Sequence, residues 1–211
     1  MNTLQQNKIT TLYNQYNTII KPLMAEIEAR EERMPLPIFN EIRAFNDHIA
    51  RCYLEGTHSE RINNELLKAE RHITRITLDC FKCLNISLYK QIEKFEKQTR
   101  NIDLTVLNNG CFYPRYCELK RLAVNHIQNA KKQEGLNLDS SLNEFQIAYN
   151  TYREVEELII NHAESVKWAR VRFTSKRILS ILLWILSVVI SGLLSLLISC
   201  DMLSQWFEYL I

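Results

Sequence analysis

Five cations, Arg61, Lys68, Arg71, Arg75 and Lys82, recur at helical spacing along one stretch of this sequence. At about 100° per residue on a helix they fall within about 80° of arc, interrupted mainly by Asp79. Such a stripe offers phosphate contacts to a polyanion such as a nucleotide or a short oligonucleotide, and the expected binding set is Lys68, Arg71, Arg75 and Lys82, joined by Arg51. The plainer reading is a solvated face, because Leu66, Ile73 and Leu84 occupy the opposite side.

A second stripe is made of hydroxyls. Ser180, Ser187, Ser191 and Ser195 lie within about 80° of helical arc inside an apolar run, with Gly192 and Ser199 on one edge. Small and hydroxyl residues on one face allow close helix approach and interhelical hydrogen bonds, and in a ring of helices the same face lines a water-filled path. Serine also bonds to its own backbone one turn back, so packing alone accounts for the stripe equally well.

Covalent and metal chemistry are poorly represented. The sequence has no GxxxxGK[ST], GxGxxG or HExxH motif and no nucleophile triad, so no catalytic residue is assigned. Cys80-Phe-Lys-Cys83 has the spacing of half a zinc site, but Cys111 and Cys117 are a poor second half, and no metal or cofactor is expected. His48, His72 and His162 have no partner that spacing identifies.

The elements that must position these residues are helical. With four Gly and four Pro in 211 residues, no strand-like alternation, and apolar residues recurring at three- and four-residue spacing, the fold class is all-α. A first helix over 3–31 carries Leu12, Tyr16, Ile19, Ile20, Leu23 and Ile27 at core spacing. A second, over 38–55, carries Ile42, Phe45, Ile49 and Tyr53 and stops at Gly56. A third begins near Ser59 and continues to Arg100, with Leu66, Ile73, Cys80, Leu84 and Leu88 on its apolar side. Residues 101–114, including Asn108-Asn109-Gly110, make an irregular connection to a helix over 115–133. Gly135 and Asn137 break the chain. Asp139 or Ser140 caps a final helix, with Glu144 as a helix-start signal. Neither Gly nor Pro occurs from 142 to 191, so this helix is expected to run from the bundle straight into the membrane.

The membrane assignment rests on 178–200, which are 23 residues without a charge, about 34 Å of helix against a hydrocarbon core of about 30 Å. Lys167, Arg170, Arg172, Lys176 and Arg177 precede the run, whereas only Asp201 and Glu208 follow it, which places the N-terminal part in the cytoplasm. Trp168, Trp206 and Tyr209 stand where amphipathic rings favour the headgroup region. The first residues lack the apolar core of a signal peptide. The expected organisation is a cytoplasmic helical bundle over 1–175, a transmembrane helix over 176–200 and a short extracytoplasmic tail over 201–211, in a bacterial inner membrane. In that compartment Cys52, Cys80, Cys83, Cys111 and Cys117 are thiols. A net charge of +2 singles out no partner. A lone span with a small-residue face implies a homo-oligomer.

Two family resemblances follow. The segments Glu41-Ile-Arg-Ala-Phe-Asn-Asp-His48-Ile-Ala-Arg51 and Lys68-Ala-Glu-Arg-His72-Ile-Thr-Arg75, coupled to one terminal span, resemble the membrane effectors of bacterial antiviral defence loci, and the organisation is similar to the effector of Hailong-type systems. That resemblance implies an oligomeric ion channel, a tetramer or larger, held shut by a nucleic-acid-like oligomer that a partner nucleotidyltransferase makes. Arg51 with His58 and Arg121 with His126 resemble the R-x(4-6)-H motif of HEPN ribonucleases, in which the histidine acts on a ribose hydroxyl and the arginine steadies phosphate. Leu122 stands where that family carries a polar residue. This second pattern implies a membrane-tethered ribonuclease; the organisation of the chain is also similar, more distantly, to the membrane accessory proteins of type VI CRISPR loci, which implies a pore with a HEPN-like cytoplasmic part. A non-conducting membrane scaffold is the third expectation.

Overall fold

The computed structural model of the chain describes residues 1–54 and 58–208, with side chains as far as 196. Among these residues all regular structure is helical. The elements are α1 (Thr3–Gln15), a π-helical turn (Tyr16–Ile20), α2 (Lys21–Glu31), α3 (Leu36–Arg51), α4 (Ser59–Thr99), a 3₁₀ segment (Leu104–Gly110), α5 (Phe112–Gln133), α6 (Leu138–Asn161) and α7 (Ala163–Glu208).

The expected first helix is one rod interrupted by the π turn. Pro22 explains the interruption: it has no N–H to give the Thr18 carbonyl and its ring would crowd that oxygen, so the turn widens to pass it. The widening also turns Ile19 outward, to 45% exposure, while Ile20 stays fully buried. In α3, Phe45 and Ile49 are buried as their spacing predicts, but Tyr53 lies beyond the helix and is 61% exposed. Gly56, the expected stop, lies outside the described residues.

Helix α4 is the spine. Its 41 residues run about 60 Å without a break. Leu66, Ile73, Cys80, Leu84 and Leu88 are all buried. Such a rod needs partners along its whole length, and two cores supply them. The N-terminal half packs against α1, α2 and α3 around Leu12, Ile20, Ile27, Ile38 and Phe45. The C-terminal half packs against the 3₁₀ segment, α5, α6 and the first turns of α7 around Leu107, Phe112, Tyr116 and Val155. Ile127 and Tyr149 touch both cores and join them.

The expected irregular connection contains the 3₁₀ segment, in which Asp103 accepts the Thr105 N–H at 3.0 Å. Asn108, Asn109 and Gly110 have φ of 49°, 53° and 87°. Three successive left-handed residues explain the Asn-Asn-Gly composition, since these types reach that region most readily. The following helix starts at Phe112, three residues before the expected Arg115, because Pro114 in a first turn forgoes no intrahelical donor. Asn137 caps α6, where Asp139 or Ser140 was expected, by accepting the Ser140 N–H at 3.0 Å.

The uninterrupted final helix requires correction. The chain breaks at His162, whose φ of −109° and ψ of 11° are not helical, and a separate 46-residue helix, α7, starts at Ala163. Packing supplies what Gly or Pro would otherwise mark: the His162 ring lies 5.2 Å from Phe112 and its Nδ1–H donates to the Leu158 carbonyl at 2.9 Å. Val166 and Ala169 then bury the base of α7 in the second core, and beyond them the helix continues without interruption through the apolar run.

Candidate functional site

Helices α3 and α4 bring together a group of side chains that spacing alone leaves unconnected. His48 and His72 stack with ring centroids 5.1 Å apart and planes 20° apart. Each ring is held from the Nδ1 side by a carboxylate, with His48 donating to Glu65 at 2.7 Å and His72 to Glu41 at 2.6 Å. Those bonds fix Nδ1 of each ring as a donor. Glu65 is only 6% exposed. The His48 hydrogen bond first, then that from Lys68, holds its carboxyl far below the usual range, at about 2.

Two residues of the expected ligand-binding set are drawn into this group. Lys68 donates to Glu65 at 2.9 Å, and Arg51 divides itself between Asp47 at 3.1 Å and Glu65 at 3.8 Å. Arg71 and Arg75, one and two turns along α4, are exposed and form no ion pair among the described residues. Lys82 is farther along, ion-paired to Glu134 and over the Phe145 ring at 5.8 Å. Of the stripe, Arg61, Arg71 and Arg75 are exposed and form no ion pair among the described residues, whereas Lys68 and the half-buried Lys82 are engaged in ion pairs. The surface position of the stripe agrees with both readings of the pattern, solvated face and anion site.

The ribonuclease-like residues separate. Arg121 and His126 are five positions apart on α5, about 140° around the helix. Arg121 borders a cleft with Arg100, Tyr113 and Lys120, whereas His126 donates through Nδ1–H to Glu144 on α6 at 2.7 Å. The same bond shows what Glu144 does: it orients a histidine of the neighbouring helix and lies beyond the first turn of α6. Arg51 and His58 flank the undescribed residues 55–57. Among the described residues no group of three or more His, Cys, Asp or Glu side chains is disposed to hold a metal ion. Burial pushes the Cys80 thiol up to about 12, so it is a packing residue and not a nucleophile.

On α7 the hydroxyl face has local bonds. Ser180 donates to the Lys176 carbonyl at 3.0 Å and Ser187 to the Trp184 carbonyl at 2.7 Å. A serine bonded in this way keeps its oxygen lone pairs for a neighbouring helix. Gly192 has open space where a Cβ would stand. Below this face, Arg172 lies over the Trp168 ring at 5.0 Å and Arg170 donates to the Gln98 carbonyl at 3.3 Å, tying the basic collar to the C-terminal end of α4. Ser199 and the outer flank, Asp201, Trp206, Glu208 and Tyr209, lie outside the described side chains. Sequence patterns also pass over a clamp between α2 and α6, in which the Arg30 guanidinium donates to both carboxylate oxygens of Glu156 at 2.9 and 2.8 Å and to Glu26 at 2.8 Å.

Among the described residues one helix, over Ala163–Leu196, is long and apolar enough to cross a membrane, with a mean hydropathy of 2.5 and none of its apolar window buried. Compared with known proteins, the chain matches no family model, no curated protein and no solved structure.

Proposed function

We propose that the chain is a non-enzymatic, single-pass membrane effector of bacterial antiphage defence. Its terminal helices assemble as a homo-oligomer, a tetramer or larger, around a gated ion path in the inner membrane. The cytoplasmic bundle takes an anionic nucleotide or oligonucleotide as regulator, with Arg71 and Arg75 as the open part of its surface. The observation that carries this reading is that every side chain from 170 to 196 is exposed. A span with no cover from its own chain is covered by lipid and by copies of itself, and the face that gains most from a copy is the one where small residues let backbones approach.

Ion flux in liposomes tests it. Replacing Ser180, Ser187, Ser191 and Ser195 by leucine is expected to abolish flux while leaving membrane insertion intact, and unchanged flux removes the path. The local bonds of Ser180 and Ser187 favour one competing reading, a non-conducting scaffold whose serines serve helix packing only. It predicts a detergent-stable oligomer with no leakage of ions from liposomes under any condition.

A further inference from the structure

The face of α4 that carries the basic stripe does not end at Lys82. Ile86, Tyr89 and Glu93 continue it at the same helical phase, and there it opens into a cleft of about 720 Å³ between α4, α5 and α6. The walls are apolar and aromatic, with Tyr89 from α4, Ile127 from α5, and Phe145 and Tyr152 from α6. Lys82, Lys90 and Lys131 stand around the cleft. Lys82 is held by Glu134, Lys90 reaches Glu31 only at 3.9 Å, and Lys131 is exposed with no ion pair among the described residues.

One residue of the lining, Asn85, holds a buried polar atom that is left over. Asn85 is 3% exposed, and its Nδ2 donates to the Phe81 and Phe145 carbonyls, both at 2.9 Å, yet its Oδ1 has no partner. Exchanging the two amide atoms is no remedy, because an oxygen would then face two carbonyl oxygens. A buried acceptor without a donor costs stability unless something supplies one. Apolar clefts of this size with a few convergent polar groups are the usual form of a small-molecule site.

We infer that this cleft binds a planar aromatic anion that carries an N–H donor. Its ring lies among Tyr89, Phe145 and Tyr152, its N–H meets Asn85 Oδ1, and its anionic tail meets Lys131 and Lys90. Charge fixes the end for the tail, since the open cation is Lys131. The site deepens the proposed regulation by an anion and rests on that reading for the consequence of binding, not for binding itself. A phosphate-bearing ring and a carboxylate-bearing ring share the chemistry, and two probes separate them: adenosine monophosphate and indole-3-acetate.

The test is calorimetric titration of each probe into the full chain in nanodiscs of zwitterionic lipid, with no ion flux measured, so a chain that conducts nothing still gives an answer. Saturable binding of one probe, one per chain, weakened at least tenfold by Asn85→Leu and by Lys131→Glu, is the expected result. Lys131 is exposed, so its variant folds whatever happens to that of Asn85. Binding of neither probe, or binding that Lys131→Glu leaves unchanged, overturns the proposal. So does Ile86→Cys if it cross-links efficiently to the same cleft of another chain, which would make a second copy the occupant.

Discussion

Glu65 shows how much one side chain organises. It is buried, it accepts from His48 and Lys68, and it lies 3.8 Å from Arg51, so removing its charge strands a histidine and two cations at once. Because its carboxyl titrates near 2 in the folded chain, against about 4.3 when unfolded, its contribution is complete above about pH 5 and is lost as pH falls toward 2. Glu65→Gln is therefore expected to lower the melting temperature at pH 7, and the gap between variant and parent should close between pH 5 and 2 in detergent-solubilised melts. A gap independent of pH would assign the loss to shape and not to charge. Arg51 and Lys68 were legible in the sequence as members of a basic set, but their shared carboxylate was not. Glu65 sits 14 and 17 positions from Arg51 and His48, and only the packing of α3 on α4 brings them together. Asn85 was equally silent, since a lone asparagine in an apolar stretch of helix carries no pattern.

At the scale of elements, periodicity reads well where a helix is straight and one face does all the packing. The buried line from Leu66 to Leu88 on α4 is the plainest instance. It reads poorly where a tertiary contact decides. The π turn before Pro22, the start of α5 at Phe112 and the break at His162 each depend on a proline tolerated or a ring accommodated, and the His162 break has no Gly or Pro to announce it. The clamp of Arg30 on Glu156 is a similar case, joining elements 126 positions apart to hold α2 on α6. Arg30→Ala is expected to cost about 1.5–3 kcal/mol, the range for hydrogen bonds to charged groups, measured by chemical denaturation of the bundle in detergent. Arg30→Lys should recover only part of it, because an ammonium cannot bridge both oxygens of Glu156 in one plane.

For the whole molecule, the long spine gives two cores a common axis, and only the second of them reaches α7. A disturbance at the basic stripe has two routes to Val166 and Ala169, along α4 or through α5 and α6, whose Ile127 and Tyr149 join the two cores. From there α7 is unbroken, so the bundle and the hydroxyl stripe are fixed in azimuth as well as in height. Each residue added to this stalk turns everything beyond it by about 100° and lifts it by about 1.5 Å. In the proposed channel, one alanine inserted after Phe173 should swing the serines to the wrong side and silence flux. Four alanines, a net turn of about 40°, should restore much of it despite the longer shaft, and equal flux from both insertions would mean that orientation does not matter. A stalk that behaves as a keyed shaft also limits what evolution can do to it: length changes there are tolerated in near-whole turns or not at all.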